Sequence, residues 1–368
     1  MIKKLIYIGF ILRLLNAAWN GFWGPSFGAE SDAVGYFIKA TEYSINLVFI
    51  DFVMGDLYAY FLGLLFYLTT PSVFLGSLTS CFAWLTSAFI LKNMLDILEI
   101  NKKQYVMIIY VFLPSSIIFS SVTLRESFQL LFVNLSIYSV LMISITNKIK
   151  YWVLMTLSVV GMGVLHGALL AFGFYVICAS IGSRNYLRNK IGSKLAIAIV
   201  GLIFLFGFSY FSDLMNSVSY QLGDIAVNIE SYQSSAINMD ARSNYKFTTH
   251  GTQWELVSTL PYTLFQFLFE PMPWRITSPI DFIALGENIL RAYLIYCSFS
   301  IFKGHSNQFT HFHKFVFISW VVISLIWSIG TVNWGTSMRH QIPSMAMLLL
   351  SAYASSPKNT KQQVPSRL

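Results

Sequence analysis

The sequence predicts an all-α polytopic membrane protein, and three observations carry that expectation. Of 368 residues, 55% are hydrophobic and only 11% are charged, where ordinary globular chains carry roughly a quarter charged. Mean hydropathy is +0.61. The apolar residues fall into runs close to the ~20 residues that a helix needs to cross a bilayer, separated by charges and turn residues. So few charges cannot give 41.8 kDa of chain a polar surface. This excludes a disordered chain, a nucleic-acid-binding domain and an ordinary soluble enzyme.

Taken in order, the first span is expected at 4–23. Its apolar run continues through Trp19, Phe22 and Trp23 without a convincing small-x-small cleavage site, so it reads as an uncleaved helix. A polar stretch over 24–50 follows, with a short helix expected at 32–44. Residues 57–70 are apolar but short, and read as a segment that dips into the membrane without crossing. Spans are then expected at 72–92, 104–122, 127–145, 152–165, 167–182 and 195–211. The pair at 152–165 and 167–182 gives only about 20–24 Å of helix at 1.5 Å per residue, which suits a hairpin with His166 at its tip. A polar segment at 212–256 leads to an aromatic stretch at 257–270 and the turn Glu270-Pro-Met-Pro-Trp-Arg275. The last spans are expected at 283–302, 315–331 and 340–355, and 356–368 reads as a disordered tail. The expectation is about ten transmembrane helices in one integral membrane domain, 1–368, with two large extracytoplasmic loops at 24–71 and 212–282.

The net charge of +8 reports topology and not a polyanionic partner. Basic residues cluster at Lys3-Lys4, Lys102-Lys103, Lys148 with Lys150, and Arg184 to Lys194, as cytoplasmic loops do. With both termini inside and 57–70 not crossing, inside loops hold 16 of 24 basic residues and the outside holds 14 of 16 acids. The three cysteines lie in apolar runs and suggest neither a disulfide framework nor a metal site.

Ionisable residues at span ends or within membrane depth are costly, which makes them candidates for function. Glu30 and Asp32 open the helix at 32–44, either as capping acids or as a general base facing a membrane cleft. Arg125-Glu126 stands at a Ser/Thr-rich span end, either as a local ion pair or with Arg125 as a fork for phosphate. His166 is a hairpin packing residue or a site residue. Trp274 and Arg275 are an interfacial anchor, or a sugar-stacking ring beside an anion-binding cation. Arg339 and His340 lie about a turn into the last apolar stretch, where Arg339 is either salt-bridged or converges with Arg125 or Arg275 on a phosphorylated ligand. The sequence contains no P-loop, Rossmann fingerprint, HExxH, GxSxG or zinc pattern, and no cofactor or metal is expected.

Together these segments resemble the GT-C superfamily of polyprenyl-linked glycosyltransferases and allied bacterial surface-polysaccharide membrane proteins. Asp32-Ala-Val-Gly-Tyr36 with Ala40 is similar to the acidic start of that superfamily's first outer loop, where the acid is the usual base. Pro114 followed by Arg125-Glu126 resembles a recurring third-span ending. Gly335-Thr-Ser-Met-Arg339-His340 with Pro343 resembles the final span of repeat-unit polymerases of the Wzy type. The chain departs from metal-dependent oligosaccharyltransferases in lacking their paired acids and a soluble C-terminal domain.

The resemblance implies polymerisation of undecaprenyl-diphosphate-linked repeat units of O-antigen or capsule at the outer face of a bacterial cytoplasmic membrane. A chain-length regulator and a flippase of the same pathway would be partners, and nucleic acid would not. Asp32 or Glu30 would be the base. Arg125, Arg275 and Arg339 would hold the diphosphate, with Glu126 and His166 beside them, and Trp274 and His340 would shape the sugar site. The alternatives are a transferase of single sugars from a polyprenyl phosphate, and a flippase or ion-coupled transporter of a lipid-linked glycan.

Overall fold

The structure, a computed structural model, describes residues 1–26, 32–46, 56–182, 243–245, 253–302 and 309–354. Glu30, the span expected at 195–211, most of 212–256 and the tail 356–368 lie outside the described residues. Within them the regular structure is helical, apart from one isolated bridge between Asn244 and Asn333.

Four helices are long and apolar enough to cross a membrane by length and composition: α1 (Ile2–Phe22), α4 (Val73–Ile97), α7 (Glu126–Thr146) and α12 (Thr310–Gly330). Between the first two lie α2 (Asp32–Asn46) and α3 (Leu57–Leu68). Next come α5 (Lys103–Phe112) and α6 (Pro114–Phe119), and after α7 the antiparallel pair α8 (Ile149–Leu165) and α9 (Gly167–Gly182). The remaining helices are α10 (Gln253–Phe269), α11 (Pro279–Ser298), α13 (Trp334–Gln341) and α14 (Met345–Ala352).

Two expected spans are broken, each at a proline. The stretch 104–122 is not one helix, because α5 stops at an extended Leu113 (φ −60°, ψ 118°) and Pro114 opens α6. Proline crowds the residue before it out of the helical region, and its missing N–H costs nothing at a first helical position. Likewise 340–355 divides into α13, a 3₁₀ turn at Ile342–Ser344 containing Pro343, and α14. The expected 283–302 starts earlier, since Asp281 Oδ2 accepts the Ser278 N–H at 2.9 Å at the start of α11.

The main apolar core is built around α4, α7 and α14, with α5, α8, α9, α11 and α12 packed about them. The α2–α3 hairpin keeps a small cluster of its own: Ala40, Tyr58, Leu62 and Phe66 with Leu165 from the end of α8. Exposed apolar side chains run along α1, among them Ile8, Ile11, Leu15, Trp19 and Phe22. A water-facing helix would bury such a stripe, whereas lipid accepts it.

The opposite face of α1 carries Arg13, fully buried with no acid against it. Its Nε donates to Ser120 Oγ at 2.7 Å, its Nη2 to Ser116 Oγ at 2.9 Å, and its Nη1 to the carbonyls of Gly9 and Val111 at 3.0 and 3.1 Å. The guanidinium lies 3.5 Å from the Trp84 ring centroid. Hydrogen bonds and a π face therefore replace a counter-ion, and they tie α1 to α4, α5 and α6.

Candidate site at one end of the bundle

The site is assembled where α7 begins and α8 and α12 end. Glu126 is the first residue of α7, where the free N–H groups of a helix start favour a carboxylate. Arg339 reaches it from α13, a short helix set by Asn333, whose side chain accepts from the Thr336 N–H at 2.8 Å. Arg339 Nε and Nη2 both donate to Glu126 Oε1, at 3.1 and 2.6 Å. Its Nη1 donates to Asp32 Oδ2 at 2.8 Å, so Asp32, on the first turn of α2, is paired in this structure.

The two contacts differ in environment. The Glu126 side chain is 2% exposed and that of Asp32 54%. A desolvated, two-donor contact is expensive to break, costing about 3–5 kcal/mol when one partner is removed. An exposed ion pair is worth about 0–1 kcal/mol. Glu126 is therefore the fixed anchor of Arg339, and Asp32 the exchangeable one.

Arg125 lies on the other flank of Glu126. Its Nη1 donates to the carbonyl of Leu165 at 2.9 Å, one of the groups left unsatisfied at the end of α8. Its guanidinium stands 5.8 Å from the centroid of Tyr36. Burial, the larger influence, pushes the Tyr36 phenol up to about 12, against the opposing Arg125 charge. It is protonated at neutral pH.

His166 follows α8 and caps α9: its Nδ1 accepts the Ala168 N–H at 3.2 Å, which leaves the ring proton on Nε2. Burial and then Arg125 push His166 down to about 4, with Glu126 opposing, so the ring is neutral. His340 stacks on Trp327 at 4.0 Å, and His166 meets the same indole edge-on at 4.5 Å. The hydroxyl of Thr331 donates to the Trp327 carbonyl at 2.7 Å, so the His340 Nδ1 at 3.0 Å donates to Thr331 Oγ1. Two guanidiniums, two carboxylates, two imidazoles, a phenol and an indole thus meet from five separate stretches of chain.

Trp274 and Arg275 are not brought into this group by any of the contacts seen. Arg275 pairs with Glu270 at 3.1 Å, donates to the Asn244 carbonyl at 2.6 Å, and lies 4.7 Å from the centroid of Trp334. A local carboxylate already neutralises it, and Trp274 is 77% exposed. Arg339 is thus salt-bridged, the first of its two expected roles, and Arg125 rather than Arg275 is the arginine that shares its surroundings at Glu126. Trp334, which begins α13, donates to Asp281 Oδ1 at 3.0 Å, so the Arg275 group braces the helix that presents Arg339.

A third polar group lies along α11. Glu287, which the charge count placed among the outer acids, is buried inside this helix and accepts the Ser115 N–H at 2.7 Å. Arg291, one turn on, donates to the Leu268 carbonyl at 2.8 Å and to Asn288 Oδ1 at 2.7 Å. A groove of about 380 Å³ between α11 and the α5–α6 break is lined by Phe112, Pro114, Phe282 and Glu287, among others. Among the described residues, no group of three or more His, Cys, Asp or Glu side chains is arranged to hold a metal ion.

Sequence reasoning did not single out Trp327, Thr331 or Arg13 for a role. Trp327 and Thr331 sit in an apolar run with the same spacing as lipid-facing residues, which leaves no signal. Arg13 did carry one, since an arginine inside a span is rare. Comparison with family models, with curated proteins and with solved structures finds no match to this chain.

Proposed function

We propose that this protein joins undecaprenyl-diphosphate-linked repeat units of a bacterial surface polysaccharide, by glycosyl transfer at the outer face of the cytoplasmic membrane. The observation that carries the reading is the meeting of Arg125, Glu126 and Arg339 with Asp32 at one end of the bundle. The diphosphate of the donor exchanges with Asp32 at Arg339 and is shared with Arg125. Released from its ion pair, Asp32 takes the proton of the acceptor hydroxyl as that oxygen bonds to the anomeric carbon. The bond from that carbon to the phosphate oxygen breaks, and the lipid diphosphate leaves with the electron pair. His340, held by its stack on Trp327, borders the sugar site. A transferase of single sugars from a polyprenyl monophosphate would use the same groups.

Protein purified in detergent and given an undecaprenyl-diphosphate-linked repeat unit should lengthen the glycan without a nucleotide. Asp32→Asn should slow this by ~10²–10⁴-fold, the usual loss with a positioned base. Normal rates in Asp32→Asn would remove the base assignment.

One observation favours a second reading, ion-coupled transport of the lipid-linked glycan. The helix broken at Pro114 and the carboxylate of Glu287 that meets Ser115 are of the kind that hold coupling ions in transporters. Transfer of the lipid-linked glycan across proteoliposomes, with no elongation in detergent, would select it.

A further inference from the structure

Three polar atoms in the first turn of α7 are buried with no hydrogen-bond partner in the structure: Glu126 Oε2, Ser127 Oγ and Gln129 Oε1. Their residues are only 1–2% exposed. Buried polar atoms are nearly always paired, so three orphans within four residues mark a place where a polar group belongs. Glu126 and Gln129 are three apart on one helix, which puts both side chains on the same face, with Cβ atoms about 5–6 Å apart. Glu126 Oε1 is occupied by Arg339, which leaves Oε2 to face another group.

The chemistry of that group follows from the charges around it. Two unpaired acceptor oxygens on one helix face disfavour a phosphate. A cation is disfavoured as well, since Arg339 and Arg125 both stand against Glu126. A neutral donor suits them. Two neighbouring sugar hydroxyls supply one O–H for each oxygen, and the flanking guanidiniums can hold the phosphate to which that sugar is attached.

We propose that the first turn of α7 is a hydroxyl subsite, in which Glu126 Oε2 and Gln129 Oε1 accept hydrogen bonds from the sugar nearest the phosphate of the bound lipid. This rests on the proposed function and adds Gln129 as a residue that distinguishes glycosylated from bare lipid. The α2–α3 hairpin covers the subsite, with Tyr58 and Phe61 on Phe128 at ring distances of 5.7 and 5.6 Å. The ligand enters beside Asp32, where the side chain is half-exposed.

The test compares two probes on the full-length protein in detergent: undecaprenyl diphosphate, and the same lipid carrying one N-acetylglucosamine. Wild type should bind the glycosylated lipid more tightly. Gln129→Met keeps the length of the side chain and removes the acceptor. It should erase about 2–10-fold of that preference, the worth of one neutral hydrogen bond, and leave binding of the bare lipid unchanged. Where Gln129→Met fails to fold, Gln129→Asn withdraws the amide by one methylene and should give the same loss. A preference retained in the variant, or absent from wild type, overturns the subsite while the phosphate assignment stands. Failure of wild type to bind either lipid overturns the proposed function and the subsite together.

Discussion

At the scale of single residues, the question at this site is which charges are fixed. Arg339 uses three donor atoms on two carboxylates, and only the Glu126 contact is desolvated. A lysine there keeps the charge but presents no planar fork, so it cannot serve Glu126 and a phosphate in fixed directions at once. Arg339→Lys should weaken binding of undecaprenyl diphosphate by about 2–5 kcal/mol, the cost of disabling a buried charge contact. Titration of the lipid onto purified protein reads it, and wild-type affinity would make Arg339 a structural ion-pair partner only. The arginines and acids here were legible in the sequence because charge is rare in so apolar a chain. Which acid Arg339 pairs with was not, since it lies 213 residues from Glu126 and 307 from Asp32 and no spacing rule connects them.

His166 gives a pH dependence with a definite sign. Its folded-state value of about 4 lies below the unfolded 6.5, so between those values the unfolded chain binds a proton that the folded chain does not. Stability attributable to this group is present above pH 6.5 and is lost as pH falls from 6.5 towards 4. Thermal unfolding in detergent at pH 7 and pH 5 should show the acid loss in wild type and a smaller one in His166→Gln. An equal acid loss in both would mean that His166 is not the group responsible.

At the scale of elements, the helices were readable wherever an apolar run was bounded by charge, as for α4 and α7. The breaks within runs depended on proline. Pro114 and Pro343 were visible in the sequence, but hydropathy alone passes straight through them, so the expected spans 104–122 and 340–355 ran on. Packing distance was not visible at all. A Cβ added at Gly21 would lie 2.5 Å from Phe74 Cβ and 2.9 Å from Phe74 Cα, so α1 and α4 touch here through backbone. A neighbouring backbone cannot swing aside as a side chain does. Gly21→Ala should therefore destabilise the protein by about 1–3 kcal/mol, as overpacking of a tight core does, despite alanine being the better helix former. The midpoint of thermal unfolding in detergent measures it, and a raised midpoint would show that α1 shifts freely against α4.

At the scale of the whole molecule, orientation depends on whether α3 crosses the membrane. Twelve residues of helix span only about 18 Å at 1.5 Å each, short of the ~30 Å hydrocarbon core. Its packing points the same way: Phe61 meets Phe128 near the start of α7, and Phe66 shares a cluster with Leu165 at the end of α8. The hairpin of α2 and α3 thus stays at the end of the bundle that holds Asp32, Glu126 and Arg339. With α3 not crossing, Lys92 and Lys103, both paired to Asp96 at 2.6 Å, fall on the opposite side from that site. Basic residues collect on the cytoplasmic side, so the orientation we propose turns the site outward, and the expectation from the sequence is that the segment 212–256 faces the same way. Ser234 lies in that segment. Cysteine placed there should react with a membrane-impermeant thiol reagent in intact spheroplasts, over the background set by Cys81, Cys178 and Cys297 in the unaltered chain. Labelling that requires rupture of the membrane would reverse the orientation and move the site to the cytoplasmic face. There a nucleotide-sugar donor would be at hand, and the case for a lipid-linked one would fall.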